Sequence, residues 1–239
     1  MLIPFPHHKN VLFNTDKSIS EIRALLFTLD CVVDLFDYNF LSPVTSGLTV
    51  VISKEYSGPI CFREKQTIVL DTTITRWSQA AYQFAHELCH YMIPSEVCSN
   101  LRWFEESICE LASNFFLIKL AEYWKQHNVP FQTVDGDLYY ESFVPYVLNN
   151  LQKALPFDVH SDSEIKYLES NCYDRAKNKY VAQLLLPIFQ KIPSTWLAVP
   201  CLCKISPNQS LRDSLVNWKD IAPQCSHEGV EAILQVFLQ

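Results

Sequence analysis

Apolar positions recur along this chain with two periods, and the switches between them set out the elements. Over residues 18–36, Ile22, Leu25, Leu29, Val32 and Phe36 share one helical face, and Ser18 or Ser20 stands where a cap is needed. Three short runs suited to strands follow, at Leu48–Ile52, 60–63 and 67–72, with Ser57-Gly58-Pro59 breaking the chain between the first and second. The spacing then predicts a helix over 76–93, stopped by Pro94. A second long helix, opened by Ser99 or Asn100, runs to about His127. Beyond Pro130 comes a loop through Asp135-Gly136-Asp137, then helical segments near 141–154, 172–191, 209–221 and His227–Leu238.

The two central helices differ in how their polar residues are arranged. In the first, Trp77, Ala81, Phe84, Leu88 and Tyr91 step by four and three into one apolar stripe. Gln79, Gln83, His86 and His90 take the same steps on the opposite side. That side carries no Arg, Lys or Asp, so it resembles the floor of a cleft more than a solvated surface. In the second, Phe104, Ile108, Leu111, Phe115 and Ile118 form a stripe, and Phe116, Leu117 and Leu120 add apolar surface elsewhere. Such a helix is buried nearly all round, which leaves Glu106 and Glu110 as carboxylates in need of a compensating partner.

His86-Glu87-Leu88-Cys89-His90 supplies that partner's chemistry. Two His four residues apart on a helix present both imidazoles to one ion, and the Glu after the first can take a proton from water the ion activates. A catalytic zinc commonly has three protein ligands and one open position. The residue six beyond His90 is Glu96 and no Gly-x-x-His follows, so the metzincin arrangement does not apply. The stretch from Trp103 to Leu111, Trp-Phe-Glu-Glu-Ser-Ile-Cys-Glu-Leu, resembles instead the Trp-x-x-Glu-Gly-x-Ala-Glu-Tyr element of gluzincin-type zinc metallopeptidases. Trp103, Glu106 and Glu110 match it; Ser107, Cys109 and Leu111 depart from it.

The resemblance covers roughly residues 67–120 and leaves the C-terminal half unaddressed. It implies a zinc cofactor held by His86, His90 and Glu106, with Glu87 as catalytic base and Glu110 holding a ligand His through its ring N–H. The residues alone leave Glu105 open as a rival ligand, because the rotation of that helix is not fixed by sequence. The resemblance also implies that 67–72 is an edge strand on which extended substrates pair, while the residues alone fit an ordinary internal strand as well. For a donor to the anionic intermediate, Tyr139, Tyr140, His127, His160 and Tyr167 are all candidates.

Composition narrows the field further. With 49% hydrophobic and 19% charged residues among 239, the chain has material for a packed core, and with only 4 Gly it favours helices over hairpins. A net charge of −7 without any basic run excludes nucleic acid and anionic membrane as main partners. Residues 1–10 lack the pattern of a signal peptide, and no apolar run is long enough to span a bilayer. Nine scattered Cys, Cys201 and Cys203 included, read as reduced thiols in a cytoplasm. His7-His8 reads as a solvated terminus and His227 as a helix-end residue.

The expectation is therefore an α+β protein. A zincin-like core over 1–130, with a small sheet and an active-site helix, carries a mainly helical part over 131–239 that closes the cleft. Its function is hydrolysis of peptide bonds, as an endopeptidase or aminopeptidase acting on peptide or protein substrates. The alternative is a regulatory or binding protein of the same fold with one dedicated protein partner.

Overall fold

Residues 1–44, 47–133 and 136–238 are described by a computed structural model. Asp135 of the expected loop lies outside the described residues. The chain is α+β, with a mixed five-stranded sheet among many helices. The strands are β1 (Leu2–Pro4), β2 (Val11–Asn14), β3 (Leu48–Ile52), β4 (Ile60–Phe62) and β5 (Thr67–Leu70), in the order β1-β2-β3-β5-β4. β2, β3 and β5 run parallel, while β1 and β4 flank them antiparallel. Val11 and Phe13 point into the core and Asn14 is exposed, the alternation a half-covered strand requires.

The order of strands corrects one expectation. The run 67–72 is not an edge: β5 pairs with β3 on one side, Val50 opposite Ile68, and with β4 on the other, Cys61 opposite Ile68. Its burial explains the place, since Ile68, Val69 and Leu70 are all inside. β4, whose three residues are half-buried, takes the edge.

Helix α1 (Ile19–Phe40) crosses from β2 to β3. Ser18 caps it, its backbone N–H donating to Glu21 at 2.9 Å, and the helix ends at Leu41 in the left-handed region, φ 48°. The other helices are α2 (Trp77–Met92), α3 (Arg102–Gln126), α4 (Phe143–Leu151), α5 (Asp162–Ser170), α6 (Arg175–Lys191), α7 (Leu211–Ile221) and α8 (His227–Leu238).

His7 is exposed, as a solvated terminus would be, but His8 is half-buried and both backbones are held. Both backbone N–H groups donate to the fully buried Asp30 of α1, at 2.9 and 3.2 Å, and His8 Nδ1 meets the same carboxylate at 2.7 Å. A buried aspartate needs donors, and the turn between β1 and β2 provides them.

Two compact units account for the packing. One comprises Met1–Tyr91 and Ala112–Asn149. Its core is aromatic: Phe36 stacks on Phe116 at 4.0 Å, and Trp124 meets Phe27, Phe131 and Phe143 at 5.1–5.8 Å. The other comprises Met92–Leu111 and Asn150–Gln239 and is helical. Trp103, Phe104, Trp218 and Phe237 form its centre. Gly229 of α8 lies so near the 3₁₀ segment Pro193–Lys204 that a Cβ there would fall 1.8 Å from Thr195 Oγ1. All nine cysteines stand outside disulfides. Among the described residues, no helix is long and apolar enough to cross a membrane.

Candidate metal centre

Helix α2 exposes none of its residues fully, but its polar face is only half-buried: Gln79, Gln83, His86 and His90 all lie there. The helix is fastened at several points. Gln79 and Gln83 both donate their side-chain N–H to the Asp71 carbonyl just beyond β5, at 3.2 and 3.0 Å. At its start, Ser78 N–H donates to the Tyr139 hydroxyl at 3.3 Å, and Trp77 packs on the Tyr139 ring at 4.3 Å. At its end, Arg63 Nε–H donates to the His90 carbonyl at 2.8 Å. The His86 and His90 rings, one turn apart, sit 5.1 Å centroid to centroid. Glu87, 4% exposed, is turned further into the protein than either.

α3 brings the acids. A 3₁₀ turn, Ser99–Leu101, leads into it. Glu105 and Glu110 are 6% and 8% exposed, while Glu106 is half-buried. One ligand atom each of His86, His90 and Glu106 lies within 4.8 Å of the other two, and this is the only such group of His, Cys, Asp and Glu among the described residues. Glu105 stands outside it, as a residue one step round the helix from Glu106, about 100° away, must. The rotation that sequence left open is thereby given.

The surroundings of Glu106 are built by the helical unit. Ser107 donates its hydroxyl to the Trp103 carbonyl at 2.8 Å and to Asn178 Oδ1 at 3.3 Å. Asn178, nearly fully buried, donates in turn to the Cys172 carbonyl at 2.8 Å. This chain fixes the Cys172-Tyr173 corner beside Glu106. Burial first, and the Glu106 carboxylate second, push the Cys172 thiol and the Tyr173 phenol above their ordinary values. Glu110 forms an ion pair with Lys179 of α6.

Three of the five donor candidates from sequence have side chains with partners elsewhere. Tyr139 braces α2; His127 stacks on Tyr123 and meets its carbonyl at 2.8 Å; Tyr167 donates to Asp174 at 3.2 Å. Tyr140 is half-buried, and His160 has its backbone N–H on Asp158. Arg63, Tyr173 and Lys179 went unmarked in the sequence, because each comes from an element distant in the chain and none belongs to a spaced motif.

No protein-family model and no curated protein matches the chain.

Proposed function

We propose that the protein is a zinc-dependent peptidase. The observation that carries this is the convergence of His86, His90 and Glu106 on one point, with Glu87 directly following the first His on the same helix. Two imidazoles and one carboxylate suit zinc in both softness and number, and three ligands leave one position open. A divalent ion there also compensates carboxylate charge that is otherwise costly to hold half-buried. Zinc, once bound, would polarise the scissile carbonyl and acidify water beside it.

The chain's own groups do the remainder. Glu87, the base, takes a proton from the attacking water and passes it to the leaving amine. Glu110 is the carboxylate that holds a ligand His by its ring N–H. β4, with one side unpaired in the sheet, is the strand on which an extended substrate adds by backbone hydrogen bonds. The sheet together with α2 is read as a zincin-like core, and nine cysteines outside disulfides support a reducing compartment such as the cytoplasm.

Protein prepared without chelator should contain about one zinc per chain. It should hydrolyse members of a mixed peptide library, followed by mass spectrometry. Glu87→Gln should lose that hydrolysis while keeping metal content and thermal stability, because a base is not a ligand. A parent protein that binds no zinc even when it is added back would end the assignment.

A further inference from the structure

Asp30, Asp34 and Asp37 stand four and then three residues apart on α1 and so share one face of that helix. The turn between β1 and β2 lays His8 against them, its side chain 15% exposed. The ring's Nδ1 is 2.7 Å from Asp30 Oδ1, while Nε2 is 3.4 Å from Asp34 Oδ1 and 3.5 Å from Asp37 Oδ2. His7 Nδ1 faces the same acids from the solvent side, 3.0 Å from Asp30 and 3.8 Å from Asp34. The thiol of Cys31 on α1 and the phenol of Tyr123 on α3 also lie in the field of Asp34.

A neutral imidazole donates from one nitrogen and accepts at the other, and an ionised carboxylate only accepts. His8 has carboxylates at both nitrogens. With Nδ1–H donated to Asp30, a neutral ring turns its Nε2 lone pair toward Asp34 and Asp37, and acceptor meets acceptor. One further proton, on Nε2 or on either of those carboxyls, makes the contact attractive, and it belongs to the group as a whole. Burial, foremost, raises the Asp34 and Asp37 carboxyls above their ordinary value, which favours keeping that proton.

The contact fastens more than the turn. The other oxygen of Asp37 accepts the Val44 N–H at 2.8 Å, and Asn10 donates its side-chain N–H to the Val44 carbonyl at 2.9 Å. The β1–β2 turn, the later half of α1 and the chain ahead of β3 therefore meet at one group of acids. We propose that His8, Asp34 and Asp37 form a proton-operated latch, independent of the metal centre: with the shared proton in place the turn is closed on α1, and losing it loosens the turn and the segment at Val44. A carboxyl raised in the folded chain binds its proton more tightly there than in the unfolded chain. Its contribution to stability is therefore present in acid and is lost as pH rises above the ordinary 3.8.

The test is hydrogen exchange of the full chain at the His7, His8 and Val44 amides, scaled to unfolded-chain rates. It runs from about pH 4 to about pH 8, which spans the ordinary titrations of carboxyl and imidazole. Protection at these amides should fall by about tenfold or more over that range, relative to the amides of β5. Asp34→Asn should flatten the fall, because an amide N–H can meet the Nε2 lone pair. His8→Gln should flatten it too, because no titrating ring remains. If one variant does not fold, the other decides. The His8 ring signals of the parent, which should change over the same range as the amides, decide without either. Constant protection in the parent, an equally steep fall in a folded variant, or a silent His8 ring beneath loosening amides would overturn the latch.

Discussion

Arg63 donates its Nε–H to the backbone carbonyl of His90, 2.8 Å away, and so ties the chain just past the edge strand to the last turn of the helix that carries both imidazoles. The His90 carbonyl is among the last four of α2, which find no partner within the helix, and a cation there also suits the helix dipole. The contact places β4 and the second imidazole in one frame. Arg63→Met should lower stability by about 1–2 kcal/mol and weaken metal binding, while keeping most of the side chain's apolar stem. Chemical denaturation and chelator competition measure the two effects. Unchanged metal affinity would show that the frame does not depend on this bond.

The acids of α3 should rank in a fixed order. Glu106→Ala should weaken zinc binding severely, because one of three protein ligands is lost. Glu110→Ala should weaken it by about 10–100-fold, as for a group acting through a ligand. Glu105→Ala should matter least for zinc. Affinities by competition with a chelating dye give the order. A loss at Glu105 with retention at Glu106 would contradict the helix rotation described above.

Asp30 accepts two backbone N–H groups and the His8 ring while fully buried. Asp30→Ala should therefore cost about 2–4 kcal/mol, from charge-assisted bonds lost and donors left without an acceptor. The effect should appear in equilibrium unfolding and as faster hydrogen exchange at the His7 and His8 amides. Exchange at those amides matching the parent would mean the turn is held by something else.

Burial pushes the Cys31 thiol up from 9.0 to about 12. The unfolded thiol ionises first, so deprotonation draws the chain toward unfolding. The contribution of this thiol to stability is complete below about pH 9 and is lost as pH rises towards 12. Over that window each pH step should remove about 1.4 kcal/mol through this one group. Cys31→Ala lowers stability at every pH by leaving a cavity, but its loss with rising pH should be shallower than the parent's. Parallel pH profiles for the two proteins would refute the burial argument.

Much of the architecture was legible because it is written in local periodicity. β3 and α8 begin and end where the spacing put them, and α2, α3 and α7 lie within a few residues. What was not legible depends on partners far along the chain. β1 and β2 are short, and their strand character comes from pairing with each other and with β3. The half-buried place of His8 follows from Asp30, which is 22 residues away. α5 offers only Ile165 and Leu168 to the core, too few for a visible stripe. At the site, the His spacing and the choice of Glu106 came from motif and resemblance. The edge position of β4 comes from strand order, and Lys179 from α6; no pattern within α2 or α3 encodes either.

Gln79 and Gln83, one turn apart, both hold the same Asp71 carbonyl. Mechanically that is a torsion stop: a single hydrogen bond would let α2 swivel about it, but two along the axis resist roll. An imidazole tip rides about 6 Å from a helix axis, so a roll of ~10° would carry it about 1 Å. Displacements of that size at a reacting centre can cost on the order of a hundredfold in rate. Two glutamines outside the His86, His90 and Glu106 group thus set the angular tolerance of the face that carries both imidazoles.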